Sequence, residues 1–471
     1  ITMSSASKEK HVSGRKRHFP PKPGDPDYKT PTQLRNARKR RKIKTEKKQH
    51  QSTHKLLGQG SSQDPSLQFL ATPLAAPTVK KAIEFFQLHS AKNSSTFDVH
   101  VGPTTGWRTV AKLAVRMVSG CLQIGLFAPG THELLAITQY EAHHPRINSA
   151  VEVLRKQCRK LEILPYSEKT GLGNLRHVII HIERATGRQQ ITLVWNEMDQ
   201  SKKSSPSLLQ SLCDVLIKLS RNDGKGSFDL HSLWIHYNNS CKYDNNIVDR
   251  NGRWEQKFGQ SNAIVENLNV GAEHLKVPLH FPPQVFRQAN IDAFSAIIVK
   301  IRSWITKRIV AIPIKRCLEL YGGVGTIGLH LVDLVSDSLV SSDENPHNKG
   351  CFENSLAQIQ IIGAFNKCKT IRYESKNASA MVHGEELRNA DLVVVDPPRK
   401  GLDADVLHGL CKRDCRKRLR ALVYVSCGFD AFCRDFETLT ESGGWKLDHA
   451  EGHVLFPGSD AIETLAFFTR D

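Results

Sequence analysis

The chain reads as an α/β protein whose C-terminal part is a doubly wound, mostly parallel sheet, and three observations predict this. Short apolar stretches ("CLELY", "SLVSSD", "TIRYES", "LVVVD", "ALVYVS" and finally "IETLAFF") alternate with helical spacing from about residue 283 onward. Strands covered on both faces by crossover helices have this text. A glycine-rich turn, "LYGGVGTIGL", directly follows the first of these strands. An acidic residue ends the second strand, and both features belong to the ligand-binding edge of such a sheet.

A chain of 471 residues accommodates two or three domains. Residues 1–75 combine Pro, Gly, Ser and Gln with the run "RNARKRRKIKTEKKQ" and few apolar positions, so they are expected to be a disordered basic arm. Of the net charge of +19, the first 55 residues carry +13, from 17 Lys/Arg against 4 Asp/Glu. Such an arm favours polyanionic partners through counterion release, and it suits a localisation signal, an RNA contact or a solvated tail. Residues 78–280 alternate strand-like "TVAKLAVRM", "LQIGLFA", "HVIIHIER" and "QITLVW" with helix-like "INSAVEVLRKQCRKLEIL" and "SLLQSLCDVLIKL", which makes a central α/β domain with nothing catalytic in its text. "DQSKKSSPS" and "NNSCKYDNNIVDRNGRWEQ" read as exposed loops within it. Residues 283–471 form the doubly wound domain, entered through a helix from about Ala293 to Arg308.

No stretch approaches the roughly 18 apolar residues of a spanning helix, so a soluble protein is expected. The 11 cysteines lie singly, with no CxxC pair and no metal-type cluster, which points to reduced thiols, an intracellular setting and no metal. Cys411 and Cys415 share one helix face but lack further ligands. Nucleus, cytoplasm and an organelle all remain open as the compartment, and the initial Ile leaves open a missing N-terminal piece.

Three segments carry chemistry. In "LELYGGVGTIGLHL", Gly322, Gly323 and Gly325 let the backbone approach a ligand, and a helix is expected from Thr326 with free N–H groups. Glu319 sits at the strand end, and Asp343 follows Gly322 by 21 residues, the spacing at which an acidic side chain meets ribose hydroxyls. "LVVVDPPRKGL" ends the fourth strand in Asp396, and its two prolines stiffen a turn that holds an acceptor at the carboxyl end of the sheet. "ALVYVSCGFDAFCRDF" puts Cys427 between a strand and a helix N-terminus, where its thiol pKa is expected to fall. A thiolate there could add to C6 of uracil and make C5 nucleophilic, after which a base must remove the C5 proton. Glu463 in "FPGSDAIETLAFF" is the candidate base, with Asp460 the other carboxylate nearby. On residue type alone, a buried small hydrophobe and a solvated strand-end charge remain alternatives for Cys427 and Glu463.

Together these segments resemble the RNA 5-methyluridine (uracil-C5) methyltransferase family over roughly residues 106–471. "VFRQAN" is similar to the family's F-x-Q-x-N element, which implies that Phe286 and Gln288, with Asn290, lie beside cofactor and target base. "LELYGGVGTIGL" resembles the cofactor loop, implying cofactor contacts from Glu319, Tyr321, Gly323 and Gly325. "NPHNKGCFENSLA" resembles the helix after the ribose-binding acid, here Asp343, and Asn377 falls where the family contacts the adenosine. "VVVDPPRKGL" matches the DPPR-x-G-L motif, so Asp396 would bond the uracil or support the cofactor, and Arg399 would touch substrate. "YVSCGFDAFCRD" makes Cys427 the nucleophile and "LFPGSDAIETL" makes Glu463 the base. "GWRTVAKLAV", "IGLFAPGTHE" and "HHPRIN" are similar to the family's central domain. Three positions depart from the pattern: Gly428 replaces its Asn, Phe429 its Pro and Ala461 its His. The N-terminal iron–sulfur cysteines of some members are absent.

The resemblance implies a class I, Rossmann-like fold, S-adenosylmethionine as cofactor, and a tRNA or rRNA substrate methylated at C5 of a uridine by a monomeric enzyme. A non-catalytic RNA-binding relative is the alternative. A cytosine-C5 enzyme is a weaker rival, because those acting on RNA carry a cysteine inside the DPP-like motif and this chain has none there.

Overall fold

A computed structural model describes residues 65–471, apart from 91–95, 129–130, 137–138, 198–204, 223–225, 239–246, 250–251, 272–274, 310–312, 362–367, 413, 415–416 and 471. Most of the expected basic arm and Cys415 therefore lie outside the described residues. The arm does not reach residue 75, because residues 65–75 are already seated. The Phe69 N–H donates to the Gly458 carbonyl at 2.9 Å, and the Ser66 and Tyr140 hydroxyls are 2.6 Å apart.

Strand β1 (Asp98–Val101) is followed by β2 (Val110–Val118), β3 (Cys121–Phe127), β4 (Leu134–Ala136), β5 (Leu175–Ile182), β6 (Gln189–Trp195), β7 (Leu230–Tyr237) and β8 (Trp254–Phe258). The last seven form one sheet in the order β4-β3-β2-β5-β6-β7-β8, antiparallel except for β6 and β7. Helices Pro145–Lys160 and Ser205–Asn222 cover one face, packing Ile147, Leu154, Leu212 and Leu216 on Leu113, Val115, Val178 and Ile180. Two expected loops are shorter than anticipated. "DQSKKSSPS" runs into the helix that begins at Ser205, and the polar stretch before Trp254 ends in β8, an edge strand whose polar text concealed it.

A hairpin of β9 (Ile264–Asn267) and β10 (Pro278–Phe281) leads to helix Ile291–Ile309 and the second sheet. Its strands are β11 (Arg316–Leu320), β12 (Ser338–Ser342), β13 (Thr370–Glu374), β14 (Leu392–Val395), β15 (Ala421–Ser426), β16 (Lys446–Val454) and β17 (Glu463–Thr469), joined by β1. The order β1-β16-β17-β15-β14-β11-β12-β13 is parallel except where β17 pairs with its two neighbours, so the doubly wound expectation holds. Strand β16 escaped the sequence reading because His449, Glu451 and His453 break its apolar text. The segment 77–101, grouped with the central domain from sequence, instead serves this sheet. Helix Pro77–Ser90 buries Ala82 and Phe86 against Phe432 and Phe436, and β1 lies beside β16.

Doubly wound topology places the carboxyl ends of the central parallel strands at one edge. There β11, β12, β14 and β15 deliver Glu319, Asp343, Asp396 and Cys427.

Candidate active site

The glycine loop is held open by its own strain and its neighbours. Tyr321 has a φ of 57°, a left-handed conformation uncommon for a non-glycine residue. Its hydroxyl donates to Asp403 Oδ2 at 3.0 Å and accepts from the Asp403 N–H at 3.2 Å, which ties the loop to the turn after Asp396. Gly323 also has positive φ, and a β-carbon there would meet nothing within 4 Å, so this backbone lies bare to the cleft. A β-carbon on Gly325 would instead lie 2.4 Å from the Phe352 ring, so that glycine serves packing.

The helix expected from Thr326 does not form; a turn leads into a short 3-10 segment, Gly328–Leu331. The Glu319 carboxylate accepts the Gly328 N–H at 2.8 Å and the Ser341 hydroxyl at 2.5 Å, and it occupies the space under the loop. Burial pushes its pKa up to about 7, against those hydrogen bonds. Asp343 stands where the spacing put it. It accepts from Gly323 N–H at 3.2 Å with one oxygen, and from Asn345 N–H and the Asn348 amide at 2.9 and 3.0 Å with the other.

Residues 285–290 alternate in direction, as an extended segment does. Phe286, 66% exposed, and Gln288 line a cleft with Glu319, Tyr321, Gly323 and Asp396. Between them, the Arg287 side chain runs the other way, donating to Thr109 Oγ1 at 2.8 Å and the Ile182 carbonyl at 2.7 Å, with Glu266 at 3.2 Å. Asn290 is buried and structural: its amide donates to the Leu455 carbonyl at 2.9 Å, and its oxygen caps the following helix at Ala293.

Cys427, half-buried, follows β15 by one residue and precedes helix Phe429–Glu441. The thiol pKa expected to fall is raised instead, to about 11. Burial is the main cause, the Glu463 and Asp396 carboxylates add to it, and Arg399 opposes. Burial likewise lifts Glu463 well above the carboxylate range, with Asp396 adding and Arg399 opposing, and lifts Asp396 to about 7, with Glu319 adding. Those mutual effects show that Cys427, Glu463, Asp396 and Arg399 share one locus, in which the free protein retains protons on acid groups.

Sheet register adds a residue that sequence reading missed. Glu463 pairs directly across β16 with His453, which pairs across β1 with His100. Cross-strand partners share a face. The His453 ring is neutral, its pKa lowered to about 4 by burial against the pull of Glu451. His100, Glu451 and His453 form a cluster with the composition of a metal site, but Lys300 at 3.1 Å and His449 at 3.0 Å already pair with Glu451. Asn377 is the outlying site candidate: it is exposed, and its oxygen caps helix Ala378–Val382 through the Ala380 N–H at 2.8 Å.

The family model described as tRNA (uracil-5-)-methyltransferase matches residues 233–470, just over half of the chain. An uncharacterized RNA methyltransferase of Protochlamydia amoebophila is 36% identical over 79% of this chain and 88% of its own length. One from Lactococcus lactis is 26% identical over 78% of this chain and 72% of its own. A Pyrococcus abyssi tRNA (uracil-54, C5)-methyltransferase, solved with S-adenosyl-L-homocysteine, superimposes with a TM-score of 0.56 at 19% identity, covering 83% of each chain, which supports the fold. Among the described residues, no helix is long and apolar enough to cross a membrane.

Proposed function

The chain belongs to the tRNA (uracil-5-)-methyltransferase family, and from that membership and the site geometry we propose that it methylates C5 of a uridine in tRNA or rRNA through a covalent bond between Cys427 and C6. The observation that carries this reading is the convergence of Cys427, Glu463, Asp396 and Arg399 beside a cleft opened by the glycine loop.

The cleft fits S-adenosylmethionine. The bare backbone at Gly323 admits a close ligand, the Asp343 oxygens can accept further hydrogen bonds from ribose hydroxyls, and Glu319 and Asp396 favour a cation. Tyr321 and Gly325 shape the loop, and Asn377 stands at the adenosine end. When bound, the cofactor supplies a methyl group on a positively charged sulfur.

The target uridine must leave its stack to enter, and the exposed Phe286 ring offers a surface for it. Gln288 orients the uracil, while Asp396 can accept a hydrogen bond from the uracil N3–H and Arg399 can face the substrate. The Cys427 sulfur forms a bond to C6 as its proton passes to solvent, and the C5=C6 electron pair moves through C4 onto O4 as an enolate. C5 then takes the methyl group. Glu463, once its own proton has passed to solvent, removes the C5 proton, the C5=C6 bond re-forms, and the thiolate leaves.

RNA containing 5-fluorouridine tests this, since fluorine at C5 cannot leave as a proton does. Wild type should form a denaturation-resistant adduct that Cys427→Ala abolishes, and Glu463→Gln should accumulate the methylated adduct on normal RNA. Absence of any adduct on tRNA and rRNA, with no 5-methyluridine in the products, would leave a non-catalytic RNA-binding protein.

A further inference from the structure

The central sheet carries a second cavity, of about 410 Å³, on the face opposite its helices. Sheet alternation puts Lys112, Ala114 and Arg116 of β2 on that face beside His177 of β5, which pairs with Ala114. That volume lies within the range of roughly 300–1,000 Å³ typical of small-molecule sites. Its charge is lopsided. Among the described residues, Lys112, Arg116 and Arg176 line it against a single carboxylate, Glu168, which Arg116 at 2.5 Å and His132 at 2.6 Å already engage.

The cations are preset rather than loose. Arg116 donates to the Val115 and Arg176 carbonyls at 2.8 and 2.7 Å, and Arg176 stacks on the Tyr166 ring with its guanidinium 4.1 Å from the centroid. His177, 7% exposed, lines this space and carries a buried Nδ1 with no hydrogen-bond partner. The surrounding protein lowers the pKa of Lys112, and burial with Arg116 and Arg176 lowers that of His177 to about 3. An anion would relieve both.

The pocket is joined to the catalytic cleft by one strand. Arg287, between Phe286 and Gln288, is anchored on Thr109, just before β2. Lys112 and Arg116 follow three and seven residues later, or roughly 10 and 23 Å along a strand.

We propose that this pocket binds one nucleotide of the RNA substrate away from the methylated uridine, with Lys112 engaging its phosphate. It rests on the RNA-methyltransferase reading and supplies what that reading lacks: a fixed contact for RNA outside the catalytic cleft. Because the contact is to phosphate, it sets register more than sequence.

The test is binding of bulk tRNA and of rRNA to the full chain across a salt series, with Lys112→Glu and Lys112→Arg variants. Lys112→Glu should weaken binding of one of these RNAs by about tenfold and flatten the slope of log K against log salt by roughly one, while Lys112→Arg stays near wild type. Thermal stabilisation by S-adenosylhomocysteine should be unchanged in both. Unaltered RNA affinity and slope in Lys112→Glu would overturn the proposal. So would stabilisation of wild type, but not Lys112→Glu, by millimolar uridine monophosphate with RNA affinity unaffected, which would mark a free-nucleotide site. Binding needs no methyl transfer, so failure of the catalytic reading would show separately, as absent 5-methyluridine with the Lys112 effect intact.

Discussion

A β-carbon built on Gly428 would lie 2.2 Å from the carbonyl oxygen of Arg399, closer than any real contact of that kind. Gly428 has a φ of −121°, so the demand comes from the neighbouring DPPR turn and not from the backbone dihedral. This explains the departure from the family's Asn: here the nucleophile loop and the DPPR turn are packed together so closely that only glycine fits. Gly428→Ala should force them apart and lower kcat by at least about tenfold with cofactor affinity largely kept, because a shift near 1 Å in the reacting groups is costly. Unchanged kcat would show that the loops yield freely. Asp396 supports a second expectation. Its folded pKa, about 7, exceeds the unfolded value near 3.9. Between those pH values the unfolded chain has given up a proton that the folded chain keeps, so this group's contribution makes stability fall as pH rises. Asp396→Asn removes that loss. Its Tm should exceed wild type by about 2–4 °C at pH 8 and converge with it at pH 4; a lower Tm at pH 8 would contradict the assignment. Cys427, Glu463 and Asp396 were legible because each ends or begins a strand within a motif. The rise in thiol pKa was not, because it comes from burial first and then from two carboxylates that sequence separation hides.

At the scale of elements, the strands that could be read were those with continuous apolar text, such as "LVVVD" and "ALVYVS". Strand β16 alternates Leu447, His449, Glu451 and His453 with other residues, so its polarity concealed a strand that pairs on both edges. His453 opposite Glu463 went unseen for the same reason. Helix Pro77–Ser90 was invisible as part of this fold because its partners in the methyltransferase sheet lie about 350 residues away: Lys81 pairs with Asp430, and Phe86, stacked on the nearby Phe97 with ring centroids 4.3 Å apart, packs on Phe432. Phe86 is fully buried. Phe86→Ala should therefore cost about 3–5 kcal/mol in denaturant unfolding of the whole protein. A loss below about 1 kcal/mol would remove the helix from the methyltransferase core. The glycine loop was located from its spacing, but the helix after it was misjudged, since nothing in "GTIGLHL" announces that Glu319 captures the Gly328 N–H.

At the scale of the molecule, residues 63–471 form one compact unit although they contain two large sheets, and Arg287 is a fastener between them. Its side chain is fully buried and reaches into the central sheet, while its neighbours Phe286 and Gln288 line the catalytic cleft. Burial lowers its pKa to about 10, still leaving it charged near neutrality. Glu266, 2% exposed, receives both Arg287 at 3.2 Å and Arg184 at 2.8 Å. Removing one cation leaves the other, so Arg287→Ala should cost about 3 kcal/mol, at the lower end for a broken buried pair. The kinetic consequence should exceed what stability explains. With the Thr109 and Ile182 contacts gone, the 285–290 segment loses its footing, and wrongly placed Phe286 and Gln288 should reduce kcat/KM for RNA by about tenfold or more at a temperature where the variant is folded. An Arg287→Ala protein with reduced Tm but normal kcat/KM would mean that the two sheets are coupled only for stability. The opposite result would make the central sheet part of the catalytic apparatus, through a residue that touches no substrate.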